Sequence, residues 1–171
     1  MGDPRKQRKK FSKPSHPWQK ERIEIERGII KKYGLKRKQE IWKMDSMLKN
    51  FLYRAKTIIG ERTSQSDIEK GQFLGRLYLM GLIKKDSKVE DILNLTLNDI
   101  LERRLQTLIL KKQMAKTMLE ARNLITHKHV AIGEKKITMP SYIVSIHEEP
   151  NIRLTINIAP VAKEKPAEEK S

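Results

Sequence analysis

Apolar residues recur at intervals of three and four over most of the first 125 positions and change to strict alternation after His129. The chain is therefore predicted to be helical first and to end in a small sheet. Ile23, Arg27, Ile30 and Tyr33 keep the helical interval over 18–33, and Gly34 supplies a stop. A second helix is predicted over 36–59, with Ile41, Met44, Leu48, Leu52, Ala55 and Ile59 as its apolar stripe and Gly60 as its end. Ser66-Asp67-Ile68-Glu69 has the form of a capping box and predicts a third helix that turns Ile68, Phe73, Leu77 and Met80 to a core. Residues 82–89 read as a connection.

From Thr96 the pattern predicts one helix carrying Leu97, Leu101, Leu105, Leu108 and Ile109. The box Thr117-Met118-Leu119-Glu120 then opens a shorter helix through Ile125. Short strands are expected at 129–132, 137–139, 142–146 and 152–158, with Gly133-Glu134 as a turn. Ile152, Leu154, Ile156 and Ile158 alternate without a break, so one face of the last strand should be buried. The expected fold class is α+β: an N-terminal helical domain, then two helices packed on a short, mainly antiparallel sheet. The expected organisation is a basic arm at 1–17, a helical domain at 18–95, the α/β module at 96–160 and a polar tail at 161–171.

Charge changes this picture. Among 171 residues, 37 Lys and Arg face 21 Asp and Glu, a formal net charge of +16. The excess falls in residues 1–60 and 101–140, while 61–100 and 141–171 are each close to neutral. Two cationic regions held apart by a neutral packing element suit a polyanionic partner. In the arm, Lys6, Arg8, Lys9 and Lys10 are candidate phosphate contacts. On the second helix Lys38, Lys49 and Lys56 share one face with Trp42 and Tyr53. Phosphate contact is the preferred reading for those lysines and packing for the two aromatics. A third candidate surface is the edge of the module, with Arg104, Lys111, Lys112, Lys116, Arg122 and Lys128.

Other chemistry is poorly supplied. There is no cysteine, which removes disulfides, thiol catalysis and cysteine metal sites. His127 and His129 lack the further ligands zinc requires, so RNA contact or a helix-end hydrogen bond is the expected role and no metal or cofactor is expected. Glu148 and Glu149 are adjacent and should point to opposite faces, which argues against a paired-carboxylate site. No phosphate-cradling glycine loop or nucleophile grouping appears, and no enzyme activity is expected. No run is apolar enough for a membrane span and the basic N-terminus lacks a secretion signal's apolar stretch, so a cytoplasmic, monomeric chain is expected.

Several separated motifs carry a resemblance: Leu101-Glu102-Arg103-Arg104-Leu105, Ala115-Lys116-Thr117, Ala121-Arg122-Asn123-Leu124-Ile125, His127-Lys128-His129-Val130 and Met139-Pro140-Ser141-Tyr142. In order and spacing they resemble the RNA-binding module named after the fourth small-subunit ribosomal protein. Ser15-His16-Pro17-Trp18, Lys32-Tyr33-Gly34-Leu35 and Lys38-Gln39-Glu40 extend the resemblance to the archaeal and eukaryotic branch of that protein's family. Two departures stand out: Gln113-Met114-Ala115 replaces a commoner Gly-Leu-Ala, and Leu110 replaces an aromatic or Val. The resemblance implies a structural protein that binds small-subunit ribosomal RNA early in assembly, at a multi-helix junction of the 5′ domain. It also implies ribosomal-protein neighbours where messenger RNA enters, and a part in decoding accuracy. A free-standing RNA-binding regulator is the alternative. Arg104 and Arg122 are expected to fork across phosphates, and replacing them together by Ala is expected to weaken RNA binding while leaving the fold intact.

Overall fold

A computed structural model describes residues 11–61 and 63–155. The arm candidates Lys6, Arg8, Lys9 and Lys10, the tail at 161–171, and Ile156 and Ile158 of the expected last strand lie outside the described residues. Helix α1 (Lys20–Tyr33) ends on Gly34, whose φ of 56° is left-handed. A Cβ at Gly34 would stand 2.7 Å from the Cβ of Met118, so glycine serves both the turn and a close approach of distant chain. The spine is α2 (Lys38–Gly60), which buries Ile41, Met44, Phe51, Ala55 and Ile58. The apolar face is thus rotated from the expected one: Phe51 and Ile58 enter the core, Leu52 is half-buried and Ile59 is exposed. The rotation lets one helix face α1, α3 and the later segments together, with Phe51 tilted against Phe73 at 6.3 Å.

Helix α3 (Ser64–Leu79) begins earlier than the expected box. Thr63 is the cap, its Oγ1 accepting the Ser66 N–H at 3.3 Å, while the Ser66 hydroxyl donates to the Glu61 carbonyl at 3.1 Å. Ile68 consequently faces outward, and Phe73 and Leu77 carry the burial. The stretch read as connection runs into a 3-10 helix, Val89–Asn94, that inserts Val89 and Ile92 into the core.

The single helix expected after Thr96 is two: α4 (Leu97–Glu102), whose Thr96 N–H and hydroxyl both donate to Asp99, and α5 (Leu105–Lys111). Between them Arg104 is extended, at φ −70° and ψ 143°. The break has a distant cause. Leu105 N–H donates to the Tyr142 carbonyl at 2.8 Å and Val144 N–H to that of Arg103 at 3.2 Å, so residues 142–144 take the backbone groups a continuous helix would use. For the same reason the expected strand at 142–146 reduces to a single antiparallel bridge, Arg104 to Ile143. Helix α6 (Met118–Thr126) opens at the expected cap, Thr117 accepting from Glu120 N–H at 3.1 Å.

The sheet is antiparallel in the order β2 (Lys135–Lys136), β1 (Val130–Ile132), β3 (Ile152–Leu154). Val130 pairs with Leu154 and Ile132 with Ile152, and Gly133 turns the β1–β2 hairpin at φ 60°. The α+β class is as expected. Two apolar clusters part at Arg103–Arg104: one gathers α1 to α4, the other α5, α6 and the sheet. Among the described residues no helix is long and apolar enough to cross a membrane.

At the end of α5, Gln113 occupies the left-handed region at φ 58°, with its N–H on the Leu110 carbonyl and Met114 N–H on that of Ile109. This is the conformation a glycine adopts without strain, and Gln113 is exposed. Gln113→Gly should therefore stabilise the fold by about 1 kcal/mol, read as a higher midpoint in urea unfolding. A lower midpoint would show that the glutamine side chain contributes more than its backbone costs.

Candidate nucleic-acid interface

The two apolar clusters are joined by ions. Glu40, in the first turn of α2, accepts from Arg104 Nη2 at 2.6 Å through one oxygen and from Arg122 Nη2 at 3.0 Å through the other. It also accepts the Lys36 N–H at 3.2 Å, which fixes the chain entering α2. Arg104 is 1% exposed and could not remain inside as an unpaired cation. Burial alone would raise the Glu40 carboxyl, but hydrogen bonds from Arg122 and Arg104, together with their charges, hold it below its ordinary value. Burial likewise pulls the Arg104 guanidinium downward, against the pull of Glu40.

The arrangement leaves positive charge over. A cavity of about 380 Å³ opens beside the cluster and includes Lys36, Arg37, Glu40, Lys43, Arg104 and Arg122 in its wall. Five cations thus surround one carboxylate. Nε and Nη1 of Arg104 are enclosed and have no partner. An anion is what such a wall is equipped to take, since Lys36, Arg37 and Lys43 are exposed there and the one carboxylate is already held by two guanidiniums.

The expected site residues divide accordingly. Arg122 and Arg104 come together, but Arg104 lies inside on Glu40 rather than at an open edge. Replacing Arg104 and Arg122 together by Ala would take both counter-charges from Glu40 and empty the place of a buried side chain, which argues against the expectation that the pair could be removed without harm to the fold. Lys111 is exposed and lies 2.8 Å from Glu102; Lys112 is held by the Glu149 carbonyl. Lys116 and Lys128 are exposed, the latter at φ 64°. His127 and His129 flank Lys128 with their rings stacked at 6.2 Å. On α2, Lys38 lies 3.7 Å from Glu26 and Lys49 lies 2.7 Å from Asp45, while Lys56 is exposed. Trp42 packs, its indole N–H donating to Glu26 at 3.0 Å, as expected; Tyr53 does not, and is exposed.

Lys36, Arg37 and Lys43 were not foreseen. The run Lys36-Arg37-Lys38 just after the Gly34 turn was an available signal; nothing in the sequence set Lys43 apart from other surface lysines. Glu148 and Glu149 are occupied by different partners, Glu148 by Tyr142 and Ser145 and Glu149 by Arg103. Among the described residues no cluster of His, Asp and Glu could hold a metal ion.

A family model described as the S4 domain matches residues 103–149. The small ribosomal subunit protein uS4 of Saccharolobus solfataricus is 46% identical over 150 residues, which are 87% of this chain and 83% of that protein. Proteins of the same name from two strains of Saccharolobus islandicus are 45% identical over the same shares.

Because the folded-state carboxyl of Glu40 is depressed, its contribution is present above the ordinary value of 4.5 and is lost as pH falls through the lower folded-state value. Glu40→Gln should cost about 3 kcal/mol in urea unfolding at neutral pH, because Arg104 is left without its counter-charge. The loss should shrink as pH is lowered below 4.5. A variant as stable as the parent at neutral pH would show that the ion cluster does not join the two halves.

Proposed function

The chain belongs to the uS4 family of small ribosomal subunit proteins, and from that premise we propose that it grips small-subunit ribosomal RNA as a structural, non-enzymatic part of the cytoplasmic small subunit. The observation that carries the reading is the cationic cavity beside Glu40, where exposed Lys36, Arg37 and Lys43 share a wall with a carboxylate already taken by two guanidiniums. A-form RNA hides its base edges in a deep groove, so a protein of this size reads phosphates, hydroxyls and the shape of junctions. Lys36, Arg37, Lys43 and Arg122 would meet the RNA backbone. Arg104 acts chiefly by holding Glu40, which in turn aims Arg122. Lys116, Lys128, His127 and His129 extend the contact along the module, with Lys111 and Lys112 beside them. Lys38, Lys49 and Lys56 on α2, and Lys6, Arg8, Lys9 and Lys10 of the arm, supply further cations from the other half of the chain.

The finer reading is that the protein binds early, at a multi-helix junction of the 5′ domain, beside ribosomal proteins where messenger enters, and contributes to decoding accuracy. A site fixed by internal ion pairs before any partner arrives suits early binding, since little ordering remains to be done on contact. The helical part at 18–95 and the module at 96–160 would then hold different segments of one junction, with Glu40 setting the angle between them.

The triple variant Lys36→Ala, Arg37→Ala, Lys43→Ala leaves Glu40, Arg104 and Arg122 in place. It should bind a small-subunit rRNA transcript more weakly, and its log-affinity against log-salt slope should be shallower by roughly 2–3, about 0.7–0.9 for each lost phosphate contact. Unchanged affinity and slope would remove the cavity from the interface. In extracts the parent should sediment with small subunits through high salt; a chain that runs free would favour the regulator reading instead.

A further inference from the structure

A second cluster lies on α1 and α2, around a carboxylate that faces no phosphate. Glu26 is 5% exposed and is held by Arg22, by the Trp42 indole N–H at 3.0 Å and by Lys38 at 3.7 Å. Arg22 also donates through Nη2 to the carbonyls of His16 and Pro17 at 3.1 and 2.8 Å. Ser12 N–H donates to Ser46 Oγ at 3.1 Å, and the Phe11 ring lies 6.0 Å from that of Trp42. Residues 11–17 are thereby fastened across the two helices, and the backbone is fixed up to the residue before Trp18.

Trp18 itself does not join this packing. It is 89% exposed, in contrast to Trp42, whose indole is spent on Glu26. It stands at an open cleft of about 460 Å³ that also includes Lys13, Pro17, Arg22, Lys38 and Trp42 in its wall. A large aromatic face held out on a fixed backbone loses apolar burial and gains nothing within the chain. Of the three cations around it, Arg22 and Lys38 share the one enclosed carboxylate of Glu26, so positive charge is left over at the cleft. A flat π-surface bounded by positive charge is complementary to a ligand that is itself flat and anionic, as a nucleotide is.

We propose that Trp18 is the stacking platform of a single-nucleotide subsite, on which one unpaired base of the bound RNA lies while its phosphate is met by Lys13 and Lys38. The inference rests on the RNA-binding reading and adds to it a place where a base is taken out of its helix. Its position is consistent with one continuous contact. Lys38 and Gln39 face this cleft while Lys36, Arg37 and Glu40 face the cationic cavity, so the same first turn of α2 separates the two. A strand crossing that turn could leave a phosphate on one side and a base on the other.

The test uses the full chain, a small-subunit rRNA transcript, and the variants Trp18→Ala and Trp18→Phe. Binding should quench the emission of the parent, whereas Trp18→Phe, which keeps only Trp42, should show little quenching. Trp18→Ala should lose about tenfold in affinity and Trp18→Phe should stay near the parent, with the unfolding midpoints of all three alike because the side chain is exposed. Parent-like binding by Trp18→Ala, or emission from Trp18 that does not respond to the transcript, would overturn the subsite while leaving RNA binding intact. A Trp18→Ala chain that binds transcript normally but fails to enter small subunits would assign the indole to a protein neighbour and overturn it too. If the parent ignores the transcript, the RNA reading falls and the subsite with it.

Discussion

The carboxylate of Glu40 is the constraint on which the two halves of this chain depend. Arg104 ends one apolar cluster and begins the next, and its guanidinium is enclosed by both. A buried cation of that kind is tolerable only with an opposing charge in contact, and the one supplied comes from α2, 64 residues earlier in the chain. The second oxygen of the same group takes Arg122 from α6. One acidic side chain therefore fixes where the module's first helix break and its second helix sit against the helical spine. A hydrophobic contact in the same place would bury area without fixing a direction.

Adjacent arginines do opposite work at this boundary. Arg103 donates to the Met80 carbonyl at 3.0 Å, the Val144 carbonyl at 3.1 Å and Glu149 at 2.8 Å, while Arg104 points to Glu40. Arg104 is extended, and successive side chains of an extended segment face opposite sides, so two neighbours can tie the segment to two surfaces. Gly81 belongs to this arrangement: at φ 71°, a Cβ there would stand 2.6 Å from the centre of the Arg103 guanidinium. Gln106, also buried, adds a tie of the same kind by donating to the Tyr33, Gly34 and Met118 carbonyls. The interface between the halves thus carries enclosed, directional polar ties beside the apolar contacts of Met118 and Ile143 with the first cluster.

That character explains what could be read from the sequence. Periodicity located α1, α2 and α6 and read α4 and α5 as one helix, and the caps at Thr96 and Thr117 were legible because cap and partner lie three residues apart. The order of helices and sheet followed from the same local signals. The break at Arg104 was not legible, because its cause is a segment near Tyr142 about forty residues away. The cap of α3 was misplaced because Thr63 and Ser66 offer the same chemistry one turn apart. Charge counting found the cationic regions but could not separate an arginine spent on an internal carboxylate from a lysine left facing a cavity. Arg104 and Lys43 differ only in what surrounds them, and that is a property of the fold.

The division between spent and unspent cations also bears on how binding and folding are linked. Lys49, Lys111 and Arg103 have acidic partners nearby. Lys36, Arg37 and Lys43 share a wall with Arg104 and Arg122, where a single carboxylate serves two guanidiniums first. In the free chain these like charges repel across the cavity. That repulsion is a cost of the folded state that a phosphate entering the cavity removes and that an unfolded chain does not carry. RNA should therefore stabilise this fold beyond what the area of contact alone would suggest. The same positive excess that makes the isolated chain less stable sharpens its preference for a polyanion shaped to fill the gap.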